Sequence, residues 1–439
     1  MPKITIENFG PVTFFDEEIA DLTILIGPQA SGKSTISKLI FFFRSIPDEW
    51  IKYLLSTENM SISKRAPFFE FNKQLRYKFV GYFGTTKHMK PFHIQYEYST
   101  GKSIRLYLED GYVQINFSEK LKNELFDTFQ KVVHLKKEIQ NEEQSFVDSW
   151  DVSYWKAKQK SLLEKTRQAI YSAFEDSKTA IFIPAGRSLV ATLSDQLQDI
   201  NSRQLDLLTE GFIDRINLLK KNFSQSFEEI VQDKKKFSIE KIDFESIHLA
   251  IDIIQQIMKG KYVFTDQGEK IFFNDKEYTK LKFSSSGQQE VVWILLLIFT
   301  VILERLNVFM VIEEPEAHLY PTAQKDIAAL FSLLLNSSNN TLVITTHSPY
   351  ILSAFNIYLY AAQISEKLDK SQRSIVDKKL RIPSEKLKAY MVERVGETFN
   401  YRSIVDHELG LIKPEEIDEA SYIINRLLDE LMEVEGLGD

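Results

Sequence analysis

No cysteine occurs in the 439 residues. Disulfides, thiolate metal centres and cysteine nucleophiles are therefore excluded, and a reducing compartment is permitted. A basic surplus is missing too. The net charge of −8 gives no global attraction to nucleic acid or to an anionic membrane. The short runs Lys220-Lys221 and Lys234-Lys235-Lys236 read as solvated faces. The N-terminal stretch Met1 to Gly10 lacks the apolar segment of a signal peptide and reads as a strand. The longest apolar run, Val291 to Leu303, is shorter than a bilayer span and is closed by Glu290 and Glu304-Arg305. It is expected to be a helix buried on all sides. There is no internal repeat, no sustained heptad pattern, no guanine-specifying N-K-x-D and no metal-ligand spacing of histidines. The expectation is a cytoplasmic chain with no membrane partner.

What is present begins with an ordinary globular balance, 44% apolar and 26% charged, enough for a sizeable core. Leu22 to Ile26 is a short apolar run that reads as a buried strand. It leads directly into Gly27-Pro28-Gln29-Ala30-Ser31-Gly32-Lys33-Ser34-Thr35, which fits G-x-x-x-x-G-K-[ST]. Ile36, Leu39, Ile40 and Phe43 then recur at helical spacing. Strand, glycine loop and amphipathic helix together predict a phosphate cradle. The glycines let backbone N–H groups close around a phosphate, and Lys33 supplies a point charge to the β- and γ-phosphates. Ser34 supplies a hydroxyl to Mg²⁺, and Thr35 lies near the α-phosphate.

A second buried strand, Val308 to Ile312, ends in Glu313-Glu314. A triphosphatase needs one carboxylate near the metal and another to orient or deprotonate the attacking water. Glu313 is the expected metal-side acid and Glu314 the expected general base. A third strand, Thr341 to Thr346, delivers His347, placed to bond the γ-phosphate or that water. Ahead of the buried helix stands Phe283-Ser284-Ser285-Ser286-Gly287-Gln288-Gln289-Glu290. Three serines and a glycine are more than a single helix cap requires, and they suit a phosphate-binding helix end. Arg187, in Ile181 to Ser188, is open between contacting nucleotide, joining two lobes and forming a loop ion pair. His318 is open between a site role and local packing.

The ordered set GPQASGKST, SSSGQQ, VFMVIEEPEAHL and TTHS resembles the ABC-type (ATP-binding-cassette) ATPases of the Rad50, SMC, RecF and OLD group. The resemblance covers roughly half the chain, at its two ends. It implies that Ser285 takes the signature serine and Gly287 its last glycine, with Ser286 and Gln288 beside them. Glu313 stands where many members have aspartate, Glu314 is the catalytic glutamate, Pro315 to Tyr320 form the D-loop and His347 is the switch histidine. Gln29 replaces a common asparagine, and Ser286 replaces the first signature glycine; both keep hydrogen-bonding character. In such proteins the signature tip meets ATP held by a second subunit, which implies a homodimer or higher even oligomer joined through ATPase heads. The EEPEAHL form is typical of OLD-like bacterial ATPases, many of them in antiphage systems such as Septu, PARIS and Gabija. OLD-type nucleases add a Toprim domain with a D-x-D pair after the histidine; none follows His347 here, so a fused nuclease is not expected.

The expected fold class is α/β, a P-loop NTPase of ABC-ATPase head type. It has a mixed central sheet with helices, an antiparallel β lobe and a helical insert. Residues 1–50 and 280–439 form the core, 51–118 the β lobe and 119–178 the helical insert. Residues 179–279 supply a core strand and a helical lobe leading to the signature. The function expected is an ATP-hydrolysing switch, with ATP and Mg²⁺, that controls a separate effector, a nuclease or toxin, in antiphage defence. The alternative is a DNA-repair or chromosome-maintenance ATPase, which would make nucleic acid a partner.

Overall fold

Strand β3 (Leu22–Ile26) is buried at every position, so it needs cover on both faces. The computed structural model shows how that cover is built; it describes residues 1–57, 66–145, 152–192, 205–237, 242–369, 371–395, 398–413 and 426. By sequence, Pro414 to Glu435 reads as an acidic helix, and these residues fall outside the described ones apart from Arg426.

Two N-terminal strands, β1 (Lys3–Phe9) and β2 (Val12–Glu18), precede β3, and helix α1 (Lys33–Ser56) follows it. Next come α2 (Ala66–Phe83) and the antiparallel strands β4 (His93–Ser99), β5 (Lys102–Glu109) and β6 (Tyr112–Phe117). Their turns fall at Thr100-Gly101 and Asp110-Gly111, the glycine signals that separate alternating runs in the sequence. Helices α3 (Glu119–Ser145) and α4 (Val152–Phe174) pack on each other. Strand β7 (Thr179–Ile183) is followed by α5 (Ser188–Thr192), α6 (Leu207–Leu219), α7 (Phe227–Phe237) and α8 (Phe244–Met258). A small antiparallel sheet of β8 (Lys261–Thr265), β9 (Gly268–Phe272) and β10 (Tyr278–Lys280) leads into α9 (Ser286–Glu304). The rest of the core is β11 (Val308–Glu313), α10 (Pro321–Ser337), β12 (Thr341–Thr346), α11 (Pro349–Gln363), β13 (Leu387–Val395) and β14 (Thr398–Ser403).

Eleven strands form one mixed sheet in the order β6-β5-β4-β1-β2-β14-β13-β3-β12-β11-β7. The segment β13-β3-β12-β11-β7 is parallel. The hairpins β4–β6 continue this same sheet, because β4 pairs antiparallel with β1. Side chains alternate between two cores. Leu22, Ile24, Val308, Met310, Ile312 and Ile344 meet helices α8 to α11, whereas Leu25, Phe309, Val311 and Val343 meet α1 to α4. That is the period-two alternation of a strand with both faces covered. Helix α9 is long and apolar enough to cross a membrane, yet most of it lies within the first core, buried from Glu290 to Leu303 except Thr300.

Helix α1 carries Pro47 in its interior. Proline has no N–H, so the carbonyl of Phe43 loses its helical donor. The Tyr98 hydroxyl, from β4, donates to that carbonyl at 2.6 Å. The hairpin sheet thereby completes the helix that follows the glycine loop. Tyr98→Phe should cost about 1–3 kcal/mol by leaving a buried acceptor unpaired. In a Pro47→Ala background, where the helix regains its donor, the cost should shrink. Urea midpoints of the four proteins check this, and equal costs in both backgrounds would refute it.

Candidate functional site

The parallel strands end at one edge, and their register sets what gathers there. Thr346 lies opposite Ile26, and Glu313 opposite Thr345. The glycine loop, the acid pair and His347 are consequently brought together. Gln29, Ala30, Ser31, Gly32, Lys33, Ser34 and Thr35 share one cavity of about 300 Å³ with Pro11, Glu314 and His347.

Two glycines make the loop possible. Gly27 sits at φ 148°, and a Cβ there would lie 2.7 Å from the carbonyl oxygen of Val392 on β13. Gly32 sits at φ 98°, and a Cβ there would come within 2.8 Å of the Tyr401 hydroxyl on β14. That hydroxyl donates to the Ser31 carbonyl at 2.9 Å. The C-terminal hairpin therefore braces the loop from behind. The Lys33 ammonium folds onto the loop, donating to the carbonyls of Gly27 at 2.8 Å and Pro28 at 2.6 Å. Burial pushes Lys33 down to about 8, opposed by Glu314 and Glu316. An ammonium held at the price of desolvation gains when anionic phosphate arrives.

Glu313 is buried and accepts from the Ser37 hydroxyl at 3.1 Å. Burial raises its carboxyl, while Lys38 and the hydroxyls of Ser34 and Ser37 work in the other direction. Glu314 adopts φ 44°, a left-handed conformation that swings it off the strand line and into the cavity. Its Oε1 is 3.5 Å from His347 Nε2, and His347 holds its carboxyl below the usual range. Glu316 accepts from the Thr346 hydroxyl at 2.8 Å and the His347 N–H at 2.6 Å. Its Oε2 is buried without a hydrogen-bond partner, and burial raises its carboxyl. Glu316 thus fixes the backbone that presents His347. His318 is exposed at φ 58°.

The serine-rich tip stands outside this cavity lining. Ser285 caps α9 in a reciprocal capping box with Gln288, and both Ser285 and Ser286 are exposed. Gln288 is further tied to the Met258 carbonyl at 2.7 Å. Gly287 is required by close approach, since a Cβ there would lie 2.7 Å from the His318 carbonyl oxygen. Arg187 is fully buried, lies outside the cavity lining and binds Glu290 of α9, so of its three open readings it forms an ion pair and in doing so joins segments.

The donor set suits a phosphate-bound divalent cation. Ser34 and Glu313 offer hard oxygens, and among the described residues no cluster of three or more acidic or histidine groups forms a protein-only cage. Mg²⁺ in triphosphate sites takes one or two protein ligands and completes its shell with phosphate and water.

A phosphate loop at the carboxyl edge of a parallel sheet defines the P-loop nucleoside-triphosphatase class. The family model described as AAA ATPase domain matches residues 1–352, and the chain belongs to that family. No curated protein matches the sequence. Among solved structures, an SMC head bound to the C-terminal winged-helix domain of ScpA shares 11% identity, with 92% of this chain and 98% of that chain covered and a TM-score of 0.45. The SMC head with an extended coiled coil bound to the C-terminal domain of ScpA, from Pyrococcus furiosus, shares 12% over 97% and 100%, with a TM-score of 0.39. The SMC head domain from Thermotoga maritima shares 11% over 92% and 98%, with a TM-score of 0.37. Likeness this distant says nothing of what this chain binds.

Sequence reasoning did not reach Tyr401, Ser37, Glu290 or the anchoring role of Glu316. Tyr401→Phe removes the brace on Ser31 and should lower stability by about 1–3 kcal/mol while weakening nucleotide binding. Thermal denaturation and titration calorimetry measure the two effects, and no change in either would discount the brace.

Proposed function

We propose that this chain is an ATP-hydrolysing switch in which two copies pair head to head around two nucleotides. The observation that carries the reading is the separation of two phosphate-seeking features. One cavity holds the loop, Glu314 and His347, while a capped, exposed serine tip stands apart from it. A two-fold pair brings each tip to the other copy's cavity.

Within one cavity the roles follow from position. Backbone N–H groups of Gly27 to Thr35 and the Lys33 ammonium bind the triphosphate, with Gln29, Ala30 and Ser31 shaping the loop. Ser34 and Glu313 would hold Mg²⁺, which when bound neutralises charge on the phosphate oxygens. Glu314 takes the proton of the attacking water, and His347 orients that carboxylate and contacts the terminal phosphate. Ser285, Ser286, Gly287 and Gln288 contact the terminal phosphate of the partner's nucleotide, so pairing senses ATP over ADP.

The output of the cycle is control of a separate effector protein, a nuclease or toxin, in antiphage defence. Its support is the Glu313 to Leu319 motif form alone. Duplex binding that falls steeply with salt would replace it by the chromosome-maintenance reading.

Glu314→Gln should slow turnover by about 10²–10⁴-fold while leaving ATP bound, and paired heads should accumulate. Light scattering with ATP tests this; a monomer under those conditions would sink the pairing reading. Ser285→Arg gives up a cap worth about 1 kcal/mol. It should keep nucleotide affinity in the isolated head yet lose ATP-driven pairing. Sedimentation showing undiminished pairing would remove the tip from the partner's site.

A further inference from the structure

Arg187 and Glu290 form an ion pair that phosphate chemistry does not use. They are 0% and 2% exposed, and neither lines the cavity. Arg187 Nη1 donates to the carbonyls of Pro184 and Glu313, each at 2.7 Å. Nη2 donates to the Glu314 carbonyl at 2.9 Å and lies 3.4 Å from Glu290 Oε2. Nε donates to the Glu290 carbonyl at 2.9 Å. In return the Glu290 carboxylate accepts from the Arg187 N–H at 2.9 Å and the Ser188 N–H at 3.0 Å.

One guanidinium thus joins three segments: the loop after β7, the end of β11 and the second turn of α9. The β11 contact falls on the two residues whose side chains are the acid pair, and one of them holds the left-handed backbone at φ 44°. The α9 contact falls on the helix whose tip is Ser285. Static filling of this space does not require charge. An apolar pair of similar volume would avoid desolvating two ions but leave these carbonyls and N–H groups unpaired, so the ion pair adds hydrogen bonds that fix the relative placement of the segments it bridges. A planar fork with five donors can serve several carbonyls at once, which a lysine cannot.

The geometry points to Arg187 and Glu290 as the positioning link that carries seating of the α9 tip to Glu314 of the same chain. The inference rests on the pairing reading above. A tip seats on the partner's nucleotide, and its link acts on its own cavity. Each of two cavities is therefore readied by the nucleotide in the other, and turnover at the two sites is coupled. Neither residue touches substrate; both act through the backbone of Glu313 and Glu314.

The test compares the wild-type full chain with the double variant Arg187→Met/Glu290→Leu, which keeps volume and removes both charges. ATP turnover is measured against ATP concentration, alongside binding of a fluorescent ATP analogue and ATP-driven pairing by sedimentation. The wild type should show a Hill coefficient above one. The double variant should bind analogue and pair as before, with KM unchanged, kcat lower by about tenfold and a Hill coefficient below the wild-type value, the remainder coming from pairing alone. A purely structural role would instead lower Tm and binding together. Should the double variant fail to fold, Arg187→Lys keeps a charge facing Glu290 but cannot bond the Pro184, Glu313, Glu314 and Glu290 carbonyls together, and it should lower kcat and cooperativity in the same way. Retained kcat and cooperativity in a folded variant would overturn the link and leave pairing intact. A wild type that does not pair with ATP would overturn the pairing reading and the link with it.

Discussion

The register of the parallel strands is the constraint on which the site depends. A parallel ladder fixes which residues end level with one another, and a slip of one residue would turn every side chain to the opposite core. Here β13, β3, β12, β11 and β7 run in step, so they bring Val392 of β13 and the glycine loop, His347, the acid pair and the Arg187 loop at the ends of the other four to one edge. Both cores hold that register, because each central strand places alternate side chains among α8–α11 and α1–α4. Ligand sites outside the carboxyl ends of such sheets follow from the same geometry.

Electrostatics at this edge is poised for an ion that completes it. Burial raises Glu313 and Glu316 and lowers Lys33, so each group is held in surroundings that disfavour its charge. A metal-bound triphosphate supplies both missing signs: cation for the carboxylates, anion for the ammonium. Glu314 differs, since His347 favours its ionised form, as a proton acceptor requires. Two neighbouring acids at one strand end are thereby driven apart by their surroundings, and their proposed roles diverge accordingly.

The glycine loop, acid pair and His347 were legible because each follows an apolar run that stops abruptly at a glycine, an acid or a histidine. The hairpins β4–β6 were legible from alternation and from their two glycine turns. Their pairing with β1 was not, since Ile6 and Ile94 are far apart in sequence and nothing local marks them as partners. The same holds for the second layer of the site. Tyr401 reaches Ser31 across 370 positions, and Glu290 reaches Arg187 across 103. Glu290 read only as the boundary of an apolar run. Its burial follows from packing α9 against the sheet, which sequence spacing alone does not specify. Arg187 stayed open among three readings for the same reason: a cation in a turn takes its meaning from partners supplied by distant segments.

The hydroxyl of Tyr98, seated in the notch that Pro47 cuts into α1, makes a keyed joint between the hairpins and the helix that carries Lys33 at its start. A roll of the helix about its own axis would break that bond. The antiparallel strands thus anchor that helix as well as covering the second core.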